Sequence, residues 1–209
     1  MKKQERAALV SQLLDQYIPS PRPSLNFSTP YTLLIAALLS AQCHDQRVNL
    51  VTPSLFSLAD TPEKMIRLSI DEIHLLIFSC GLSKTKATAI HRLSHLLLER
   101  YGGQVPECLE GLEELPGVGH KTASVVLSLG FHRPAFPVDT HIQRSARRWK
   151  LSDQKNIRWI ERELKELFLP SQWGKIHLQI IHYARRYCPA RHHLREQCPI
   201  CLALNQRRY

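Results

Sequence analysis

Residues 31–39 read YTLLIAALL, nine positions without a charge. On a helix of 3.6 residues per turn the segment 31–42 is apolar almost all round, and such a helix is stable only where other elements enclose it. It is too short to span a bilayer, which takes about 20 apolar residues. The segment therefore predicts a central, buried helix. No stretch of the 209 residues sustains period-two alternation of β-branched side chains, and the glycines fall between helical runs. An all-α protein is expected.

Local signals divide the remainder into helices. A first helix over about 5–17 sets Ala8, Leu9, Leu13 and Tyr17 along one stripe. Prolines and serines make 20–30 a loop. A short helical piece ends near Leu58, and Thr61-Pro62 opens another, with threonine as the cap and proline at the first helical position. Ser69 and Glu72 have capping-box spacing. GLSKTKA at 81–87 breaks the pattern before a long amphipathic helix that runs through Ile90, Leu93 and Leu97 to Gly102. VDTHIQRSARRW, SDQKNIRWIERELKELF and QWGKIHLQIIHYARRYC read as three more helices, with no internal repeat and no low-complexity tract.

Composition narrows the partner. Twenty-eight Lys and Arg against 18 Asp and Glu leave a net charge of +10, a surplus that suits an anionic partner such as nucleic acid. MKKQERAALV lacks the apolar core of a secretory signal, so a cytoplasmic location is expected and the six cysteines lose their disulfide expectation. Cys43, Cys80 and Cys108 stand singly and read as small core hydrophobes. Cys188, Cys198 and Cys201 crowd into the last 22 residues, a grouping that points to metal.

LPGVGHKTASVV, from Leu115 to Val126, reads as a tight turn opening into a helix. Gly117 and Gly119 allow backbone conformations closed to residues with a Cβ and leave room for close approach. The unpaired amides of a helix start can then hold a phosphate; an ordinary interhelical turn is the plain alternative. Lys121 falls in the first helical turn, where the dipole disfavours the ammonium form. If also desolvated, its amine becomes a nucleophile toward a sugar C1′. Asp139 stands eighteen residues on, in VDTHIQR. It can cap the following helix, or take protons and stabilise positive charge on a sugar.

LNFSTPYTLLIAALLSAQ, GLSKTKA, LPGVGHKTASVVLSLGF and VDTHIQR, in that order and spacing, resemble the endonuclease III family of helix-hairpin-helix DNA glycosylases with AP lyase activity. The resemblance spans about 6–201. It implies a two-lobed α fold with a DNA-binding cleft between the lobes: a six-helix lobe over 22–133, and a second lobe from 1–21 and 134–209. It implies Lys121 as the Schiff-base nucleophile, Asp139 as the catalytic carboxylate, and Gln42 and Leu82 as fillers of the gap left by an extruded nucleotide. Gly117, Val118, Gly119, His120 and His141 are the further DNA contacts expected. The implied activity is removal of oxidised pyrimidines followed by β-elimination, by a monomer acting on double-stranded DNA with a damaged base or abasic site. No membrane and no nucleotide cofactor are involved. A non-catalytic DNA-gripping module and a mismatch glycosylase are the competing readings.

The C-terminus departs from that family, whose four cysteines there hold a [4Fe–4S] cluster. This chain keeps Cys188, Cys198 and Cys201, and Arg207 stands where the fourth would fall. His192 or His193 can supply the missing ligand, and a mixed Cys/His set also suits tetrahedral zinc. Cluster, zinc and a site without metal all stay open. Six arginines against one acid from Tyr183 to the end make a DNA-facing surface or a solvated tail.

Overall fold

The structure, a computed structural model, describes residues 1–206; Arg207 lies outside them. Among the described residues it consists of α-helices with short connections and no strand. The helices run in order α1 (Lys3–Tyr17), α2 (Pro30–Leu39), α3 (Asp45–Leu58), α4 (Pro62–Met65), α5 (Ile70–Leu76) and α6 (Ser83–Tyr101). They continue as α7 (Leu109–Glu113), α8 (His120–Val125), α9 (Thr140–Arg148), α10 (Ile157–Leu167), α11 (Trp173–Arg186) and α12 (Pro199–Gln206). Two compact units divide them: 23–133 is one, and 1–22 with 134–209 is the other.

In the 23–133 unit α2 is enclosed as its composition demands. Tyr31 through Leu39 are all buried, against α3, α6, α8 and the π-helical turn Val126–Gly130 that prolongs α8. Burying each Leu or Ile contributes about 1.5–3 kcal/mol, so α2 anchors the unit. Pro30 occupies its first turn and the Thr29 hydroxyl accepts from the Thr32 amide. The helix stops at Leu39, short of the expected 42, because Ser40–Cys43 forms a turn with Gln42 at φ +54.

α6 starts earlier than its glycine suggests. Leu82, in the left-handed region, precedes it, and Ser83 is already helical. The expected break at 81–87 is thus only its first residues. α3 is a full 14-residue helix rather than a short piece. The buried face of α1 is Ala7, Val10 and Leu14; Ala8 is exposed, while Leu9, Leu13 and Tyr17 flank the core. One-position rotation of that stripe reflects how mixed the helix is. Of the three single cysteines only Cys80 is buried; Cys43 is half-buried and Cys108 exposed.

The other unit closes around Trp149, Tyr183 and Phe136, all fully buried. Tyr183 meets Trp149 and Tyr17 edge-on, at ring separations of 5.6 and 6.0 Å. Polar ties hold α1 to α11: Gln179 Nε2 donates to Asp15 Oδ1 and to the Ile18 carbonyl, both at 2.9 Å, and Lys175 Nζ pairs with Asp15 Oδ1 at 2.6 Å. Among the described residues no helix is long and apolar enough to cross a membrane.

Candidate active site

The hairpin is built from its apolar residues inward. Leu115 and Val118 are buried, and the Val118 amide donates to the Leu115 carbonyl at 3.0 Å, closing the turn between α7 and α8. Val118 therefore serves the hairpin's interior, and its N–H is already committed. Gly117 sits at φ +79, where a Cβ would lie 2.9 Å from Ala89 Cβ and 3.1 Å from Leu38 Cδ1. Gly119 differs: its φ of −96 suits any residue, and nothing lies within 4 Å of a Cβ there. Only Gly117 is thus required by the fold. Gly119 keeps the surface before α8 open.

That contrast separates two effects. Gly117→Ala is expected to cost about 1–3 kcal/mol through the left-handed backbone and the clash. Gly119→Ala meets neither and should cost less, at most about 1 kcal/mol from exchanging glycine for alanine at the N-cap of α8. Urea denaturation of both variants checks this. Equal stability losses would refute the assignment.

Lys121 is the second residue of α8 and is exposed. Burial in the free protein therefore does not desolvate its amine. His120 beside it pairs through Nδ1 with Glu113 Oε1 at 2.6 Å, tying α8 to α7.

Gln42 and Leu82 come together in this unit. Both have left-handed backbones, at φ +54 and +58, and both are exposed. A left-handed conformation costs a residue with a side chain roughly 1–2 kcal/mol, and such strain clusters at functional sites. The Gln42 carbonyl lies 3.2 Å from where a Gly81 Cβ would stand, so the two turns abut. Beneath them the buried Lys86 donates from Nζ to the Leu39 carbonyl at 2.8 Å and the Ala41 carbonyl at 2.7 Å. A cation thereby satisfies the end of α2. Burial holds the Lys86 ammonium below the ordinary lysine range. Burial, with the neighbouring Cys43 thiol, pushes the Cys80 thiol up to about 11. Lys86 was missed by sequence reasoning, although it falls on the apolar stripe with Ile90, Leu93 and Leu97.

In the second unit Asp139 caps α9: its Oδ1 accepts from the Ile142 amide at 2.8 Å. His141, the second residue of α9, is half-buried and meets Arg144 Nη2 through Nδ1 at 3.1 Å. Arg144 also donates to the Cys188 carbonyl, and Arg148 donates to the carbonyls of Cys188, Pro189 and Ala190. Burial, then the neighbouring Arg148 charge, lowers the Arg144 guanidinium below its ordinary range. These arginines anchor the cysteine loop, a role their place in a basic helix did not reveal.

The C-terminal donors converge as four. Cys188, His193, Cys198 and Cys201 bring one ligand atom each to within 4.8 Å of one another. His193 Nε2 lies 3.4 Å from Cys188 Sγ and 3.6 Å from Cys201 Sγ. His192 is exposed, with its backbone at φ +56, and takes no part in the set. Hydrogen bonds from the Cys188 and Cys201 thiols hold the Cys198 thiol far below the usual thiol range.

Similarity to known proteins covers nearly the whole chain. Residues 35–170 match the model of the HhH-GPD superfamily base excision DNA repair protein. Endonuclease III of Escherichia coli (strain K12) is 38% identical over 203 residues, 97% of this chain and 94% of that protein. Endonuclease III of Treponema pallidum is 43% identical over 183 residues, 88% and 85% of the two chains. The solved structure of a non-covalent endonuclease III–DNA complex superposes with a TM-score of 0.92 at 35% identity, over 98% of this chain and 95% of that one. A trapped endonuclease III–DNA covalent intermediate gives 0.91 at 34%, over 96% and 94%.

Proposed function

Because the chain belongs to the endonuclease III family of the HhH-GPD superfamily of base excision DNA repair proteins, we propose that it is a bifunctional DNA glycosylase and AP lyase that removes oxidised pyrimidines through Lys121. The single observation that carries the residue assignment is an exposed amine in the first turn of the helix that leaves the glycine hairpin. A trapped covalent enzyme–DNA intermediate in a structure this similar is what an amine nucleophile would produce.

The base must first leave the stack, since its glycosidic bond is out of reach inside a duplex. Leu82 is the apolar wedge for the vacated space and Gln42 the polar filler; an inserted wedge offsets part of the unstacking cost. Their strained, exposed turns support those roles. The amides that open α8 hold a backbone phosphate, which positions the protein without reading sequence.

Uncharged Lys121 Nζ then forms a bond to C1′ as the base departs with its bonding pair. Asp139 takes up the proton released by the amine and offsets positive charge on the sugar. The nitrogen lone pair then breaks the C1′–O4′ bond, O4′ takes the proton back from Asp139, and a protonated imine remains. A C2′ proton passes to water as the C3′–O bond breaks, releasing the 3′ phosphate and cutting the strand. Water hydrolyses the imine and restores Lys121. No step passes through the Cys188/His193/Cys198/Cys201 set.

Sodium borohydride with an abasic-site duplex tests the assignment. It should reduce the imine and leave one protein–DNA conjugate, resolved on a denaturing gel. A protein that binds this duplex but yields no conjugate is the non-catalytic module instead.

A further inference from the structure

The four donors at the C-terminus are spaced for one ion. In a tetrahedral zinc site with bonds of about 2.3 Å to sulfur and 2.0 Å to nitrogen, ligand sulfurs stand roughly 3.7 Å apart and nitrogen about 3.5 Å from each sulfur. His193 Nε2 lies 3.4 and 3.6 Å from Cys188 and Cys201 Sγ, and the whole set falls within 4.8 Å. A four-iron cube asks for something wider. Each ligand binds its own iron and points outward from a corner, so the donors stand roughly 6 Å apart. The residues present do not fit that group. Their separation would have to grow by more than an ångström at every edge.

The surroundings oppose such an expansion. Cys198 and Cys201 flank the first turn of α12, with the Leu202 amide donating to the Cys198 carbonyl at 2.8 Å. The fully buried Tyr183 of α11 accepts from the Ile200 amide at 3.0 Å and lies 3.6 Å from Cys198 Sγ, fastening this turn to the helix that leads to Cys188. On the other side Arg148 holds the Cys188, Pro189 and Ala190 carbonyls and reaches Cys188 Sγ at 3.4 Å. The positive φ at His192 turns the loop so that His193, not His192, joins the sulfurs.

We propose that Cys188, His193, Cys198 and Cys201 form a mononuclear tetrahedral zinc site in place of the iron–sulfur cluster that the family resemblance implies. The ion is structural: four protein ligands leave no open position, and closing the 188–201 segment around it contributes folding energy directly. Nothing in this assignment depends on the excision chemistry, so either can fail alone.

The test is metal analysis of the full chain, purified without oxygen from cells supplied with both iron and zinc. About one zinc per chain and no stoichiometric iron is expected. Four irons with broad visible absorption, or a folded chain without stoichiometric metal, overturns the proposal. Cobalt replacing zinc should show the intense visible bands of tetrahedral coordination; octahedral cobalt spectra count against it. His193→Ala should weaken zinc at least roughly 100-fold in a chelator competition, while His192→Ala leaves it unchanged. If His193→Ala does not fold, His193→Cys serves: it keeps four donors and must shift the cobalt bands. Unshifted bands refute ligation by His193.

Discussion

Lys121→Ala is expected to lower strand cleavage at abasic sites by at least about 10³-fold and to abolish the borohydride conjugate, because it deletes the only group assigned to bond with C1′. The cost elsewhere should be small. Lys121 is exposed on a helix whose packing comes from Ala123, Ser124 and Val125, and alanine is the best helix former. Stability should therefore hold within about 0.5 kcal/mol. Affinity for an abasic duplex should fall by less than about tenfold, the order of one lost phosphate-range charge. Single-turnover cleavage, gel trapping and a binding titration on the same preparation separate these quantities. Cleavage near the wild-type rate in a variant that folds and binds would remove Lys121 from the chemistry.

How much of this was legible beforehand follows from the range of each interaction. α2 could be read because an apolar circumference admits only one environment, and the Thr61 and Ser69 caps depend on neighbours three residues away. The hairpin turn and the place of Lys121 in the first turn of α8 were legible for the same reason. Distinguishing Gly117 from Gly119 was not, since it turns on Ala89 and Leu38, distant in sequence. Nor was the choice of His193 over His192: adjacent histidines in a loop are equivalent until the backbone turns one away. The metal-site geometry was hidden for a further reason. Three cysteines and a resemblance suggest which group a family holds there, whereas donor spacing depends on how α11, α12 and Arg148 are fastened together. Lys86 lay in plain view on an apolar stripe, and only its carbonyl partners gave the position meaning.

Asp139→Asn separates two roles that one carboxylate holds. Asparagine caps a helix as well as aspartate does, so the bond from the Ile142 amide, 2.8 Å in the wild type, should survive. The melting transition should then stay within about 0.5 kcal/mol, whereas Asp139→Ala loses about 1 kcal/mol with the cap. An amide can neither take a proton nor carry negative charge, so turnover should drop roughly 10²–10⁴-fold even though the protein is intact. Comparing two substrates says which property matters. A carboxylate that only stabilises charge on the sugar as the base leaves is needed for excision and not for cutting a site that has already lost its base. One that accepts the Lys121 proton is needed for both. Equal losses on a damaged-base duplex and an abasic duplex identify the proton acceptor; a loss confined to the damaged-base duplex identifies the charge stabiliser. Unchanged rates on both would leave Asp139 as nothing more than the cap of α9.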